Sequence, residues 1–165
     1  MNPIMQSTVI ESRTVAREQL DWGTRAWLTR SEGRSAETLV VIEVELRPGC
    51  GHAFHLHPNQ EEVLYCLDGI VEQWIGAERT LLHAGDSAFI AKNTVHASFS
   101  ASTRPARVLA ILGPVVGSEG YEVIEVAQQA PWNTLRPGDP TDHPASRPTI
   151  PARTDPGGPL RIHSP

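Results

Sequence analysis

The chain has 165 residues, the length of one ordinary domain, with 14 basic and 19 acidic side chains and a net charge of -5. This balance, with no block of like charge, argues against nucleic acid or an anionic membrane as a partner. No apolar run approaches the roughly 20 residues of a membrane-spanning helix, and two cysteines do not make a disulfide framework. We therefore expect a cytoplasmic protein with one core, in which any metal serves chemistry rather than folding.

The first 36 residues are predicted to form an N-terminal arm with short strands. Residues 9–10 and 22–28 are the candidate strands, because they are locally apolar. Residues 12–20 favour a short helix between them.

Residues 37–130 are predicted to form the folded domain. The segment 37–46 places aliphatic side chains at every second position, which indicates a β-strand. Short runs rich in Val, Ile, Phe, Leu and Trp follow near residues 53–57, 61–67, 70–75, 79–82, 87–91, 95–99 and 106–112. Turn residues separate these runs, and many short strands at such regular spacing indicate an antiparallel all-β sandwich or barrel.

Asp68-Gly69 is a strong signal for a two-residue β-hairpin. A hairpin at this point pairs Leu67 with Ile70 and turns Glu62, Leu64, Cys66, Val71 and Gln73 to one face. The opposite face is also largely apolar, so we expect it to be covered by an N-terminal strand or by a second subunit.

From residue 131 to the end, the composition changes to Pro, Gly, Asp, Thr and Arg with few apolar residues. Such a segment buries too little surface to offset the entropy of ordering it. We expect an irregular proline-rich C-terminal tail over 131–165, anchored by Trp132 and Leu135.

Three histidines and one glutamate have the spacing of metal ligands. His55 and His57 are two residues apart, so both imidazoles project from the same face of a strand. Glu62 begins the next strand on the inward face, and His96 begins a later one. Three imidazoles and a carboxylate from three strands suit a divalent transition metal and leave about two coordination positions open. We call His55, His57, Glu62 and His96 the His/Glu cluster.

These residues fall into a recognisable pattern: Gly49, five residues, His55, one residue, His57, four residues, Glu62, six residues and Gly69. This segment resembles the complete first motif of the cupin superfamily, in the form found in small bacterial one-domain cupins.

The second cupin motif is matched in part. Gly85 and His96 stand at their expected places, whereas Ala91, Asn93 and Ser100 replace the usual Pro, Gly and Asn. Because asparagine tolerates the left-handed conformation, we expect the turn at Asn93 to survive.

The resemblance covers about residues 38–112 and implies a double-stranded β-helix, or jelly-roll, barrel. It also implies that the His/Glu cluster binds one divalent metal, namely Fe, Mn, Ni, Zn or Cu, and that the chain forms a homodimer. It says less about the reaction, since this barrel hosts many activities.

Side-chain parity suggests which residues surround a small-molecule substrate. The candidates for the pocket are Leu64, Gln73, Ile75, Ile90, Ser98 and Phe99, with Tyr65 as a second-rank candidate because its register faces outward. Glu62 is preferred to Glu61 as the metal-ligating carboxylate because of its spacing and parity, and the resemblance to flavonol dioxygenases implies that Glu62 also acts as the catalytic base. His52 has the opposite parity to His55, and we expect it at the barrel mouth rather than as a fifth ligand.

Three functions fit this site. The leading hypothesis is a dioxygenase-type oxygenase for a small, partly apolar or aromatic substrate that chelates the metal. The alternatives are a redox-neutral isomerase, cyclase or lyase with Glu62 or Tyr65 as base, and a non-catalytic metal or small-molecule binder.

Overall fold

The computed structural model describes residues 7–29 and 38–136. The strands of these residues are β1 Arg17–Leu20, β2 Gly23–Thr29, β3 Val40–Leu46, β4 Gly51–Leu56, β5 Glu61–Asp68, β6 Ile70–Ile75, β7 Glu78–His83, β8 Ser87–Ile90, β9 His96–Ser100, β10 Ala106–Gly113 and β11 Ile124–Glu125. A 3-10 turn, Ser12–Thr14, precedes them and a one-turn helix, α1 Trp132–Leu135, follows. In this part of the chain no helix is long and apolar enough to cross a membrane.

The strands form two antiparallel sheets, which confirms the predicted all-β fold with double-stranded β-helix architecture. One sheet has the order β1-β2-β3-β10-β5-β8, and the other β11-β4-β9-β6-β7. The two remain separate sheets, and over the described residues their edges do not join into a closed barrel. Aliphatic side chains from both sheets share one core, which includes Val40 and Leu46 from β3 and Val71 from β6.

The predicted helix over 12–20 is wrong. Only Ser12–Thr14 is helical, and Arg17–Leu20 instead pairs with β2 through a tight turn that sets Leu20 opposite Gly23. Sheet pairing along β2 therefore outweighs the local helix preference of this segment. The predicted strand at 22–28 is confirmed as β2, whereas residues 9–10 form no strand.

The predicted hairpin at Asp68-Gly69 is also wrong. The chain crosses from one sheet to the other at Gly69, whose φ is 82°, so β5 pairs with β8 and β10 while β6 pairs with β7 and β9. Leu64, Cys66 and Val71 are nevertheless buried as expected. Alternation along each strand fixes the inward face whichever strand is the neighbour.

The outer face of the five-stranded sheet carries a second apolar cluster. Phe54, Trp74 and Phe99 are buried there, and Trp132 and Leu135 of α1 pack against the cluster. The predicted anchoring of the tail by these two residues is confirmed, although most of the tail, from residue 137 onward, lies outside the described residues. The C-terminal segment thus packs on the outer face of β6, where an N-terminal strand or a second subunit was expected.

Candidate metal centre

The two sheets bring the His/Glu cluster together at one point. His55 on β4 pairs with His96 on β9, and His57 follows directly after β4. Glu62 reaches the same point from β5 in the opposite sheet, and its neighbour Glu61 is exposed. All four side chains are buried, and each offers a ligand atom within 4.8 Å of the others.

The turn that precedes His96 has the predicted conformation. Asn93 has a φ of 61°, which is the left-handed region that glycine usually occupies. Its backbone N–H donates to the His57 carbonyl oxygen at 2.7 Å. The partial second motif therefore still positions its histidine, and the turn also braces the end of β4.

Backbone carbonyls orient all three imidazoles in the same way. Nδ1 of His55 lies 2.7 Å from the Ala53 oxygen, Nδ1 of His57 lies 2.6 Å from the Glu122 oxygen, and Nδ1 of His96 lies 2.9 Å from the Thr94 oxygen. A carbonyl oxygen only accepts hydrogen bonds, so each Nδ1 carries the proton. When a ring is neutral, its Nε2, the atom that ligates metals, therefore keeps a lone pair directed at the centre of the cluster.

Glu62 lies against two of these nitrogens. Its Oε2 is 3.0 Å from Nε2 of His96 and 3.2 Å from Nε2 of His57. Acceptor atoms at such distances need positive charge between them, either protons on the rings or a bound cation. The donor set of three imidazoles and a carboxylate therefore fits a divalent transition metal.

The pKa shifts follow from burial and from these contacts. Burial alone would raise the pKa of Glu62, but hydrogen bonds to His57 and His96 outweigh it and hold that pKa well below its usual range. Burial would lower the pKa of His96, yet its hydrogen bond to Glu62 raises that pKa. The pKa of His55 is lowered by burial and then by His52 and His96. Glu62 is thus an anion and His55 a neutral ring, the states in which each ligates a metal.

An open cavity leads to the cluster. Its floor is aliphatic and comes from the six-stranded sheet, with Ile42, Val44, Leu46, Leu64, Val108, Ala110 and Leu112. Polar and aromatic side chains surround its mouth, namely Trp22, Arg25, His52 and Tyr121. A small, largely apolar molecule with a polar end fits such a site.

The predicted pocket residues divide between this cavity and other places. Leu64 and Ser98 line the cavity. Gln73 lies behind the wall, where its Oε1 accepts a hydrogen bond from the Ser98 hydroxyl at 2.7 Å, and Ile90 and Ile75 belong to the aliphatic core.

The remaining two candidates face away from the cavity because neighbouring side chains alternate along a strand. With Ser98 inward, Phe99 lies on the outer face, where the Arg136 guanidinium is 3.8 Å from its ring centre. Tyr65 likewise lies on the outer face of β5 and is 40% exposed.

His52 is closer to the cluster than its parity predicts. β4 contains a register shift between His52 and His55, so the two residues Ala53 and Phe54 of β4 oppose the single residue Ala97 of β9. The extra residue of this β-bulge returns His52 to the inward side. Its ring stacks on His55 at 3.6 Å and on Trp22 at 5.3 Å, and its Nε2 is 2.8 Å from Oε1 of Glu125.

Sequence reasoning missed three residues at the cavity mouth. Trp22 and Arg25 come from the β1–β2 hairpin, where residues 22–28 were predicted as a strand but not as part of the pocket. Tyr121 belongs to the segment 114–123 between β10 and β11, which has no periodic pattern. No local signal in the sequence points to these positions, because long-range folding alone brings them to the cavity.

The sequence profile of the Cupin domain family matches residues 42–112, the part of the chain that supplies the two-sheet core and the whole His/Glu cluster. This match and the fold support a member of the cupin superfamily. No match is found among curated proteins.

Solved cupin structures share this fold at low sequence identity. KdgF from Halomonas sp. superposes with a TM-score of 0.59 at 15% identity, over 66% of this chain and 94% of that one. A predicted oxalate decarboxylase from Thermotoga maritima gives 0.60 at 19%, over 65% and 99%. The oxalate decarboxylase of Lactobacillus farciminis gives 0.62 at 20%, over 70% of this chain but only 35% of its own. These likenesses establish the fold.

Proposed function

We propose that this cupin is a metal-dependent enzyme whose His/Glu cluster binds one divalent transition metal, such as Fe, Mn, Ni or Zn. The observation that carries the proposal is the common orientation of the three imidazoles, each committed through Nδ1 to a backbone carbonyl. An apolar core gains nothing from three basic nitrogens and a carboxylate aimed at one another, because burying them is costly unless a cation joins them.

Four protein ligands leave about two positions of a six-coordinate ion open, where a bound metal would gather substrate oxygens and stabilise developing negative charge. The chain itself provides the rest of the site. The aliphatic floor holds the body of a small substrate and excludes water. The polar end of the substrate then lies at the His/Glu cluster.

Glu62 is the catalytic base of this proposal. Its contacts with His57 and His96 keep it ionised and weakly basic. It takes a proton from a substrate hydroxyl only when one of those contacts loosens, because each contact favours the charged carboxylate.

We favour a dioxygenase-type reaction on a chelating enediol, keto-enol or catechol. Such a reaction places both atoms of O2 in the product and needs no separate reductant. The apolar cavity supports this choice, because O2 and the ring or chain of such a substrate are both apolar.

A redox-neutral reaction is the second candidate, in which Glu62 removes a proton next to a carbonyl or a carboxylate is lost as CO2. The fold of solved oxalate decarboxylases supports it, as does the carboxylate of Glu62 at the centre of the site. A non-catalytic binder would use the same cluster and cavity without turnover.

The test combines metal analysis with an oxygen electrode. We expect one metal per chain in protein purified without chelator, and O2 uptake by the iron- or manganese-loaded form with at least one member of an enediol and catechol panel. Conversion of a substrate under argon would instead indicate the redox-neutral reaction, and metal binding without any conversion would indicate a binder.

The matched control is His83→Ala, which removes an imidazole on β7 outside the cavity. His96→Ala is expected to lose the metal and all conversion, while His83→Ala keeps both. Equal metal content in the two variants would contradict the proposed centre.

A further inference from the structure

Tyr121 faces the cavity beside the His/Glu cluster, on the segment between β10 and β11. Its ring lies 5.2 Å from the His57 ring and 5.4 Å, edge-on, from Trp27. Both are contacts of the aromatic ring, and neither involves the hydroxyl group. Within the described residues, this hydroxyl makes no hydrogen bond, although the side chain is largely shielded from solvent.

Three other polar side chains of the cavity already have partners. Arg25 Nε donates to Glu18 at 2.6 Å, His52 contacts Glu125 at 2.8 Å, and the Ser98 hydroxyl donates to Gln73. A partly buried donor without a partner is costly unless a ligand or water accepts from it. The cavity thus presents one uncommitted hydroxyl near the cluster, as far as the described part of the chain shows.

The position of Tyr121 is built into the fold. Gln60, which is 1% exposed, donates from Nε2 to the oxygens of Pro114 and Gly120 at 2.8 and 3.0 Å. Its Oε1 accepts from the Glu122 N–H at 3.0 Å. These three hydrogen bonds clamp both ends of the segment that carries Tyr121, so its side chain is held over the cavity.

Burial, with the charge of Glu62 nearby, raises the pKa of Tyr121 far above its usual value. The ordinary pKa of a phenol is already about 10, so the Tyr121 hydroxyl carries its proton at neutral pH and can donate a hydrogen bond.

We propose that the Tyr121 hydroxyl donates a hydrogen bond to an oxygen of the small molecule held at the His/Glu cluster. The ligand class is a compact chelating oxygen compound, such as a catechol or an enediol, with an acceptor oxygen toward Tyr121 and an apolar body on the aliphatic floor. This inference rests on the proposed metal-dependent function, and it gives Tyr121 the ligand-contacting role that the sequence suggested for Tyr65.

The test is a titration of the Co2+-loaded protein with catechol, followed through the visible absorption of the metal. Tyr121→Phe keeps the ring contacts with Trp27 and His57 and removes only the hydroxyl. We expect its catechol affinity to fall about tenfold, the size of one hydrogen bond to a charged or polarised oxygen, while its Co2+ affinity stays unchanged. Tyr65→Phe, the same change on the outer face, is the matched control and should bind catechol like the wild type.

Imidazole is the second probe, because it reaches a metal through nitrogen and offers no oxygen to Tyr121. It should bind wild type and Tyr121→Phe equally. Equal catechol affinity in these two proteins would overturn the inference. Loss of Co2+ by Tyr121→Phe, or failure of the Co2+-loaded wild type to bind catechol, would overturn it as well. Failure of the wild type to bind Co2+ would overturn the metal centre itself, a different result from these.

Discussion

At the scale of single residues, the site depends on where each imidazole directs its two nitrogens. Three Nδ1 atoms donate to backbone carbonyls, and the Nε2 atoms converge on Glu62. Two of those carbonyls, from Ala53 and Thr94, lie two residues before the histidine they orient. The backbone thus orients the three rings without further side chains.

His52 is the residue that tests whether the cluster is complete with four members. Its ring stacks on His55, yet its Nε2 is committed to Glu125 at the cavity mouth. We predict that His52→Ala keeps close to one metal per chain, whereas His55→Ala and His57→Ala lower metal affinity at least a hundredfold, because each loses a direct ligand. Metal analysis after dialysis against a weak chelator measures this. Loss of metal from His52→Ala would show that the centre extends to Glu125.

At the scale of elements, strand existence and inward parity could be predicted from the sequence, but sheet partners could not. Residues 61–67 and 70–75 have the right period, and β5 and β6 occupy them. Asp68-Gly69 suits either a hairpin or a crossing between sheets, and only the pairing of β5 with β10 decides between these. In β4, one bulge residue reverses the parity of His52, and no local pattern marks it.

The candidate site was predictable to the same extent. The ligands were found because their spacing follows strand parity, whereas Tyr121 and Arg25 reach the cavity through long-range folding. Phe99 and Ser98 are adjacent on one strand, so both could not face the pocket as predicted. In the structure Ser98 lines the cavity and Phe99 lies on the outer face.

The C-terminal helix is fastened to the five-stranded sheet through Glu72 on β6. Its carboxylate accepts from Trp74 Nε1 at 2.8 Å and from Arg136 Nε at 3.2 Å. Burial opposes ionisation of Glu72, but Trp74, Arg136 and Arg79 prevail and lower its pKa. A carboxyl group with a lowered pKa stabilises the fold above its unfolded pKa of about 4.3, and this contribution is lost as pH falls through the lower folded value.

We therefore predict that Glu72→Gln lowers the free energy of unfolding by about 1 kcal/mol at pH 7. The difference from wild type should shrink as the pH falls below about 4. Urea denaturation at a series of pH values measures it. Glu78→Gln, an exposed change on the neighbouring strand, should have no effect at any pH. A Glu72→Gln deficit that stays constant down to pH 3 would contradict the ionic origin of this contact.

At the scale of the whole molecule, a metal bound at the His/Glu cluster would join the two sheets, because Glu62 comes from one sheet and the histidines from the other. A ligand that binds only the folded state stabilises it by about 4 kcal/mol at a thousandfold excess over Kd. We predict that Mn2+ or Zn2+ raises Tm by about 10 °C over the chelated protein. His96→Ala should lose this shift and His83→Ala should keep it; an equal shift in both would indicate binding elsewhere.

The homodimer stays a prediction. Val63, Tyr65 and Phe89 form an exposed apolar group on neighbouring strands β5 and β8, and β8 is the edge of its sheet. We predict a mass near twice the 18.0 kDa of the chain in light scattering after gel filtration. Phe89→Glu should shift that mass toward a single chain, because it places a charge within the apolar group. A single-chain mass for the wild type would contradict the dimer.

The most direct test of the metal centre is anomalous diffraction from crystals grown with Mn2+ or Zn2+, recorded on both sides of the absorption edge. We predict one strong peak among the three Nε2 atoms and the Glu62 carboxylate, with ligand distances of about 2.0–2.2 Å. The absence of a peak there, or a peak between His52 and Glu125 alone, would contradict it.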